Sequence, residues 1–266
     1  MSNDQPVTPT TSTASSRASA KAAHASFTGS QKVKKLVVAA TAIGLTAAGV
    51  AAPVKPQPAF PEWLIDTGIN CDMTGASLKK PLTDLDKQKN PLKNRYEVPE
   101  RADIDPKVAI DDFLNPDIKV SAFPSTVMNE EKAASLTGYI VKIEDGGSET
   151  CNCQTITKTY FDTHIYLSKT DPSNRPPVPK GQHDTTFDMI VEVTPRMRQI
   201  MKPNSTEWNT NELKKAFPRG TKVNVTGWQF YDREHEPASY NIKHVLTDWR
   251  FTCWELHPVT AIDKMQ

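Results

Sequence analysis

Residues 210–231 read TNELKKAFPRGTKVNVTGWQFY, and this stretch decides the fold. Its first part predicts a helix over about Thr210–Phe217, and the following Pro218, Arg219 and Gly220 terminate that helix. Its second part predicts a strand over Lys222–Tyr231, in which Gly227 suits a bulge or a sharp bend. The fold therefore depends on which strands lie before and after this helix.

Period-two alternation of apolar residues predicts strands on both sides of the helix. Three strands are predicted before it, at Leu136–Glu144, about Tyr160–Leu167 and Phe187–Thr194, and a fifth strand at about Leu246–Leu256. Three strands, a helix and two strands are the order of an OB-type barrel. The chain is therefore predicted to be mainly β, with a five-stranded OB-type Greek-key barrel over residues 134–263. A five-strand sandwich and an SH3-like barrel are the alternatives, and the helix between strands three and four favours the OB fold.

The N-terminal part of the chain has a different composition. Residues 1–31 are rich in Ser, Thr and Ala and are predicted to be disordered, because they can bury little apolar surface. The basic Lys32–Lys35 followed by the uncharged Leu36–Ala52 predicts a signal sequence or membrane anchor over residues 32–52. A transit peptide and an Ala-rich surface helix are the alternatives. We expect an exported protein, periplasmic or secreted, or one tethered by an uncleaved anchor, with membrane contact only through residues 36–52.

Residues 53–128 are irregular and rich in proline, and are predicted to wrap the barrel as an arm. One short helix is predicted there, because Asp105 is a good N-cap, Pro106 suits the first turn and Pro116 ends the helix. The arm has too few apolar residues for a core of its own.

The charge of the chain is balanced, with Lys+Arg 32 and Asp+Glu 31, a net charge of +1. This balance excludes a chain-wide attraction to nucleic acid, which needs a surplus of positive charge. Aromatic residues crowd the last two predicted strands and suit base stacking, but they suit a barrel core equally well. They are Trp228, Phe230, Trp249, Phe251 and Trp254. Nucleic acid is weakly indicated at most, and the partner stays unknown.

The chain contains four cysteines: Cys71, Cys151, Cys153 and Cys253. An even number in an exported protein permits disulfides, with three pairings. A bond from Cys71 to Cys151 or Cys153 would tie the arm to the barrel. One disulfide with two buried thiols and a zinc site are the alternatives, although zinc needs four convergent ligands and C-x-C is a weak signal.

Acidic and histidine side chains stand at strand ends that the OB topology brings to one rim. With the strands ordered one, two, three, five, four, the start of strand two shares a rim with the ends of strands three and five. The cluster predicted at that rim is Asp162, His164, Glu192, Glu255 and His257. A second group, Asp232 and His235, is expected in the loop at the opposite end, unless strand tilt brings it round.

Two histidines among carboxylates suit a divalent metal such as zinc, manganese or iron. The predicted ligands are His164, His257, Asp162 and Glu255, and a metal there could polarise a phosphoryl group or acidify a bound water. Without a metal, these groups could share acid and base roles, or only orient one another and fix strand ends. The sequence therefore assigns no catalytic residue.

Short motifs in this region resemble a group of exported bacterial proteins of unknown function. The motifs are Asp162-Thr-His164-Ile165, Val191-Glu192-Val-Thr-Pro195, Gly227-Trp-Gln-Phe-Tyr-Asp232-x-x-His235 and the final Trp254-Glu-Leu-His257-Pro-Val259. The resemblance covers about residues 134–263 and supports the domain boundary and the choice of residues, but it implies no reaction. The chain departs from the plainer members in its loop Thr170–Thr185 and its C-x-C.

Three functional hypotheses follow from the sequence. The first is an exported OB-fold binding module whose ligand is a protein, a glycan, an oligonucleotide or an ion. The second is a metal-dependent hydrolase, such as a phosphodiesterase or nuclease, that uses the rim cluster. The third is a structural envelope protein that its arm and disulfides fix to partners.

Overall fold

The computed structural model describes seven stretches, which all belong to one compact unit: residues 64–65, 69–75, 81–115, 128–175, 188–203, 205–243 and 250–266. The segment 1–31, predicted to be disordered, and the segment 32–52, predicted to be a signal or anchor, lie outside the described residues. Within the described stretches, no helix has the length and apolar character needed to cross a membrane.

A closed barrel dominates the described part of the chain. Its strands are β3 (Ala133–Asp145), β4 (Thr163–Ser168), β5 (Asp188–Val193), β6 (Lys222–Tyr231) and β7 (Trp254–Lys264). They follow one another around the barrel as β3-β4-β5-β7-β6. Neighbouring strands are antiparallel, apart from the parallel pair β5 and β7. A helix, α4 (Thr210–Ala216), lies between β5 and β6 in the chain. This strand order and this helix confirm the predicted OB fold.

The fourth predicted strand has the bounds of β6, but the fifth was placed too early in the chain. β7 begins at Trp254, whereas the predicted start, Leu246, lies outside the described residues. Proline is rare inside strands, so a strand that continues through Pro258 is hard to recognise from the sequence. The barrel accepts Pro258 in β7 because the register with β6 is irregular there: Gly227 is opposite Val259 and Gln229 is opposite Leu256, which leaves Pro258 without a partner in this register. A Cβ at Gly227 would lie 2.8 Å from the Pro258 carbonyl oxygen.

The barrel is filled by apolar side chains that alternate along the strands. Ile165 of β4, Val191 of β5 and Leu256 of β7 belong to one buried core. Because successive residues of a strand face opposite sides of the sheet, the residues next to them lie on the outer face. Those outward residues include the histidines and carboxylates of the predicted site.

The arm contains more regular structure than the one helix predicted for it. A two-stranded sheet of β1 (Leu64–Ile65) and β2 (Ile69–Asn70) precedes a ten-residue helix, α1 (Asp84–Lys93). The first turn of α1 is fixed by a capping box, in which Thr83 and Asp86 each accept a hydrogen bond from the other's backbone amide.

The predicted helix near Asp105 is shorter and begins later. Asp105 accepts a hydrogen bond from the amide of Lys107 within a turn, and its own amide donates to the carbonyl of Ala133. This pairing with the barrel holds the chain out of a helical path. The helix, α2, spans only Ile110–Phe113, with Ala109 as its N-cap.

Two further helices were not predicted. α3 (Pro195–Met201) follows β5 directly, with Thr194 as its N-cap and Pro195 in its first turn. α5 (Tyr240–Lys243) lies in the connection between β6 and β7.

Candidate metal centre

The predicted site residues lie on the outer face of the sheet rather than at an open rim. His164 of β4 is directly opposite Glu192 of β5, and Glu255 and His257 flank the core residue Leu256 on β7. The strands converge as their topology predicted, but these side chains turn outward because their neighbours fill the core. OB barrels bind ligands on this face of their second and third strands and on the adjacent loops.

Helix α1 covers this outer face with a polar surface. Its buried residues are Asp86, Lys89, Asn90 and Lys93. The Thr150 hydroxyl lies 2.7 Å from the carboxylate of Asp86 and 3.1 Å from the side-chain oxygen of Asn90, both of which can accept its hydrogen bond. Polar bonds therefore hold α1 on the loop between β3 and β4.

A disulfide ties the same loop to the arm. Cys71 and Cys153 are bonded, which settles the pairing that the sequence left open. Cys151 and Cys253 are buried thiols outside this bond. The Asn94 side chain, just after α1, donates to the carbonyl of Cys151 at 2.9 Å. The arm and the β3–β4 loop thus form a joined cover over the outer face.

Under this cover, opposite charges alternate along a chain of contacts. Lys93 Nζ lies 2.7 Å from Glu149 Oε2 and 3.4 Å from Asp232 Oδ2. Arg250 is 3.9 Å from the same oxygen of Asp232, and it donates to Glu255 Oε2 at 2.6 Å. The two permanent cations therefore each lie between two carboxylates.

The two histidines continue the alternation. The distance from His257 Nδ1 is 3.3 Å to Glu255 Oε1 and 3.1 Å to Glu192 Oε2. His164 Nε2 is 3.3 Å from Glu192 Oε1 and 3.9 Å from Glu149 Oε1, so the contacts close into a ring. Asp162 approaches this ring from the end of the β3–β4 loop, with Oδ2 3.9 Å from His257 Nε2. We call these nine residues the polar cluster: Lys93, Glu149, Asp162, His164, Glu192, Asp232, Arg250, Glu255 and His257.

Several atoms of the polar cluster are buried but not hydrogen-bonded within the described residues. They are Asp162 Oδ2, His164 Nε2, Glu192 Oε2 and His257 Nε2. The contacts of Glu192 with the two imidazoles thus have short distances without hydrogen-bond geometry. Buried polar atoms in native proteins are almost always satisfied, so atoms left in this state indicate a bound ion or water. Five carboxylates against two permanent cations also leave three negative charges when both imidazoles are neutral, and one negative charge when both are protonated.

The pKa values show how strongly the polar cluster attracts positive charge. Burial opposes protonation of His164 and His257, but Glu192 outweighs it and raises the pKa of His164 to about 9 and that of His257 to about 10. Burial and Glu149 raise the pKa of Asp162 to about 6. Burial also opposes ionisation of Glu192, but His164 contributes most to lowering its pKa to about 2. The site therefore favours bound cations, either protons or metal ions.

The structure brings together all five residues of the predicted cluster, and it adds one of the second group. Asp232 was expected at the opposite end of the barrel, but Lys93 and Arg250 join it to the cluster, with His235 2.8 Å from its Oδ2. The described parts of the β6–β7 connection place Asp232 and Arg250 beside the cluster, which strand order alone does not specify.

Sequence reasoning missed three members of the polar cluster. Lys93 belongs to α1, Glu149 to the β3–β4 loop and Arg250 to the β6–β7 connection. The capping box at Thr83 was the available signal for α1. Glu149 and Arg250 lie in connections whose paths no local pattern encodes.

Three sets of three side chains each place one ligand atom per residue within 4.8 Å of the others. The sets are Asp162, Glu192 and His257; Glu149, His164 and Glu192; and Glu149, Cys151 and Asp162. Glu255, predicted as a ligand, instead contacts Arg250 and the Nδ1 atom of His257. A carboxylate on one imidazole nitrogen orients the other nitrogen toward a metal, so this position suits an orienting residue.

Comparisons with known proteins show similarity of fold only. No protein-family model matches the chain, and no curated protein matches its sequence. Among solved structures, the chain is similar to the crystal structure of the telomeric Saccharomyces cerevisiae Cdc13 OB2 domain. The identity is 12% and the TM-score 0.27, over 52% of this chain and 95% of that one. So low a score carries no argument about function, and the OB assignment rests on the strand order and the helix.

Proposed function

We propose that this protein is an exported OB-fold binding module whose ligand is a divalent metal ion held in the polar cluster. One observation carries the proposal: Asp162, Glu192 and His257 converge in a fully buried site, where an oxygen or nitrogen of each lacks a hydrogen bond within the described residues. The side chains of Asp162 and His257 are 0% exposed. Carboxylates with imidazole suit zinc, manganese or iron.

Neighbouring side chains hold His257 and Asp162 in fixed orientations, as outer contacts do for the ligands of metal sites. Glu255 lies on Nδ1 of His257, and Arg250 in turn holds Glu255. The Asn152 side chain donates to Asp162 Oδ1 at 3.1 Å, which leaves Oδ2 to face His257. Such outer contacts fix the orientation of ligands before a metal binds.

Burial favours metal binding over hydrolysis. A hydrolase must bring its substrate to a metal-bound water, but Asp162, Glu192 and His257 lie beneath α1 and the β3–β4 loop. We therefore do not propose the hydrolase.

Two features support export. The basic residues 32–35 precede an uncharged stretch, as in signal sequences. A disulfide between Cys71 and Cys153 is typical of oxidising compartments. Mass spectrometry of the mature N-terminus from each cell fraction tests this part. An intact Met1 in protein from the reducing cytoplasm contradicts it.

Metal content after chelation and reloading tests the binding function. We expect the full chain, reloaded with Zn²⁺ or Mn²⁺ and desalted, to retain metal in elemental analysis. The Asp162→Asn and His257→Gln variants should lose the metal held by Asp162, Glu192 and His257, because each variant lacks one of these ligands. His235→Gln is the matched control, because it removes an imidazole that contacts Asp232, and neither residue belongs to a set of candidate metal ligands among the described residues. Circular dichroism checks that each variant is folded. A wild-type chain that retains no metal contradicts the proposal, as do folded Asp162 and His257 variants that retain as much as the wild type.

A further inference from the structure

We infer that the polar cluster holds two divalent ions, with Glu192 as the ligand that bridges them. The inner ion lies with Asp162 and His257, and the second, outer ion lies with Glu149 and His164. This inference rests on the proposed function, because Glu192 belongs to both ligand sets.

Glu192 has the orientation of a bridging carboxylate. Its Oε1 faces His164 Nε2 at 3.3 Å, and its Oε2 faces His257 Nδ1 at 3.1 Å. Neither contact has hydrogen-bond geometry. Oε1 thus lies beside the His164 nitrogen that would bind the outer ion, whereas Oε2 lies beside the His257 nitrogen that Glu255 also contacts. Glu192 nevertheless places a ligand atom within 4.8 Å of those of Asp162 and His257, and one within 4.8 Å of those of Glu149 and His164. One carboxylate can therefore serve two ions about 3.5–4 Å apart.

Glu149 is positioned to complete the outer set. Lys93 and the Cys151 thiol contact its Oε2, which leaves Oε1 to face His164 Nε2 at 3.9 Å. The side chains of Glu149 and His164 are 17% and 13% exposed. The outer ion can therefore exchange with solvent while the inner set stays sealed.

Gly146 leaves open the space beside His164. A Cβ at residue 146 would lie 2.7 Å from His164 Nε2 and 3.1 Å from its Cδ2. The nitrogen that would bind the outer ion is thus clear only because residue 146 has no side chain. At the next residue, Gly147, a Cβ would meet nothing within 4 Å.

Charge also permits a second ion. With neutral imidazoles, the five carboxylates and two permanent cations of the polar cluster leave three negative charges. One divalent ion reduces this to one negative charge, and a second ion leaves one positive charge. That charge lies at the partly exposed Glu149 and His164, where a hydroxide or buffer anion can complete the coordination.

Metal stoichiometry in the full chain tests the inference. We expect wild-type protein titrated with Mn²⁺ to bind two ions per chain, with an electron paramagnetic resonance spectrum of coupled Mn²⁺ pairs. His164→Ala should bind one ion and give an uncoupled spectrum. Gly146→Ala should weaken the second ion at least about tenfold, the scale of changes next to metal ligands. Gly147→Ala, the matched control, should bind as the wild type does.

The outcomes separate the two proposals. A wild-type chain that binds one ion, lost in His257→Gln, overturns the bridged pair and leaves the proposed function standing. A chain that binds no ion overturns both. Two ions in His164→Ala, or loss of the second ion in Cys151→Ala but not in His164→Ala, place that ion elsewhere and overturn the inference.

Discussion

The two faces of the sheet β4-β5-β7 are both largely buried but chemically opposite. On the inner face, Ile165, Val191 and Leu256 fill the barrel, whereas His164 and Glu192, their neighbours in the chain, lie in a network of charges. Burying apolar side chains stabilises the fold. Burying paired charges contributes little net stability, because the cost of desolvation offsets much of their attraction. The inner face therefore accounts for stability, and the outer face is better explained by a ligand.

The largest expected effect comes from removing one cation of the outer face. Lys93→Met leaves Glu149 and Asp232 buried without their shared ammonium group, so the free energy of unfolding should fall by about 3–5 kcal/mol. Urea denaturation measures it. Lys87→Met is the control on the same helix, because Lys87 is exposed and, among the described residues, pairs with the exposed Asp84. A Lys93 effect no larger than the control effect would show that the charges of the outer face are not coupled.

A core truncation on the inner face should cost somewhat less. Leu167→Ala removes a fully buried side chain of the barrel core, and we expect a loss of about 3 kcal/mol. The variant should bind metal with wild-type stoichiometry, because it leaves the outer face intact. If metal binding is lost in the folded variant, the two faces are not independent.

A smaller effect, which should disappear at acid pH, is expected at the cover. Burial opposes ionisation of Asp86, but the hydrogen bonds from Thr150 and Thr83 outweigh it and lower its pKa to about 2. A lowered pKa in the folded state means that this stabilisation is complete above the ordinary value of 3.8 and is lost as pH falls toward 2.

Asp86→Asn should therefore cost about 1 kcal/mol at neutral pH, the typical value of a helix cap. The difference from the wild type should shrink below pH 4. Unfolding curves measured between pH 2 and pH 7 check both points. Asp84→Asn, at an exposed position of the same turn, should change stability far less. A difference between wild type and Asp86→Asn that does not depend on pH would exclude the charge of Asp86 as the cause.

The barrel could be predicted because apolar residues alternate with more polar ones along its strands. In β6, buried Val223 and Val225 alternate with less buried residues, and the predicted bounds match the strand. Pairing order and the helix α4 then specified the OB fold. β7 was misplaced because Pro258 stands inside it, and proline is rare in central strands.

The cover could not be predicted from apolar periodicity. α1 buries Asp86, Asn90 and Lys93, so its buried face is polar, and Pro91 interrupts it. Hydrophobic patterns detect faces that pack on an apolar core, and α1 packs on charges instead. The five residues predicted at the strand ends come together because strand order specifies their neighbours. Their metal-binding role stays a prediction.

Anomalous X-ray diffraction from crystals of the full chain grown with Zn²⁺ tests the central claim most directly. The account predicts an anomalous peak among Asp162, Glu192 and His257, within about 2.0–2.2 Å of an oxygen or nitrogen of each. Data collected above and below the zinc edge identify the element. Crystals with zinc bound elsewhere and none among these three side chains would contradict the account.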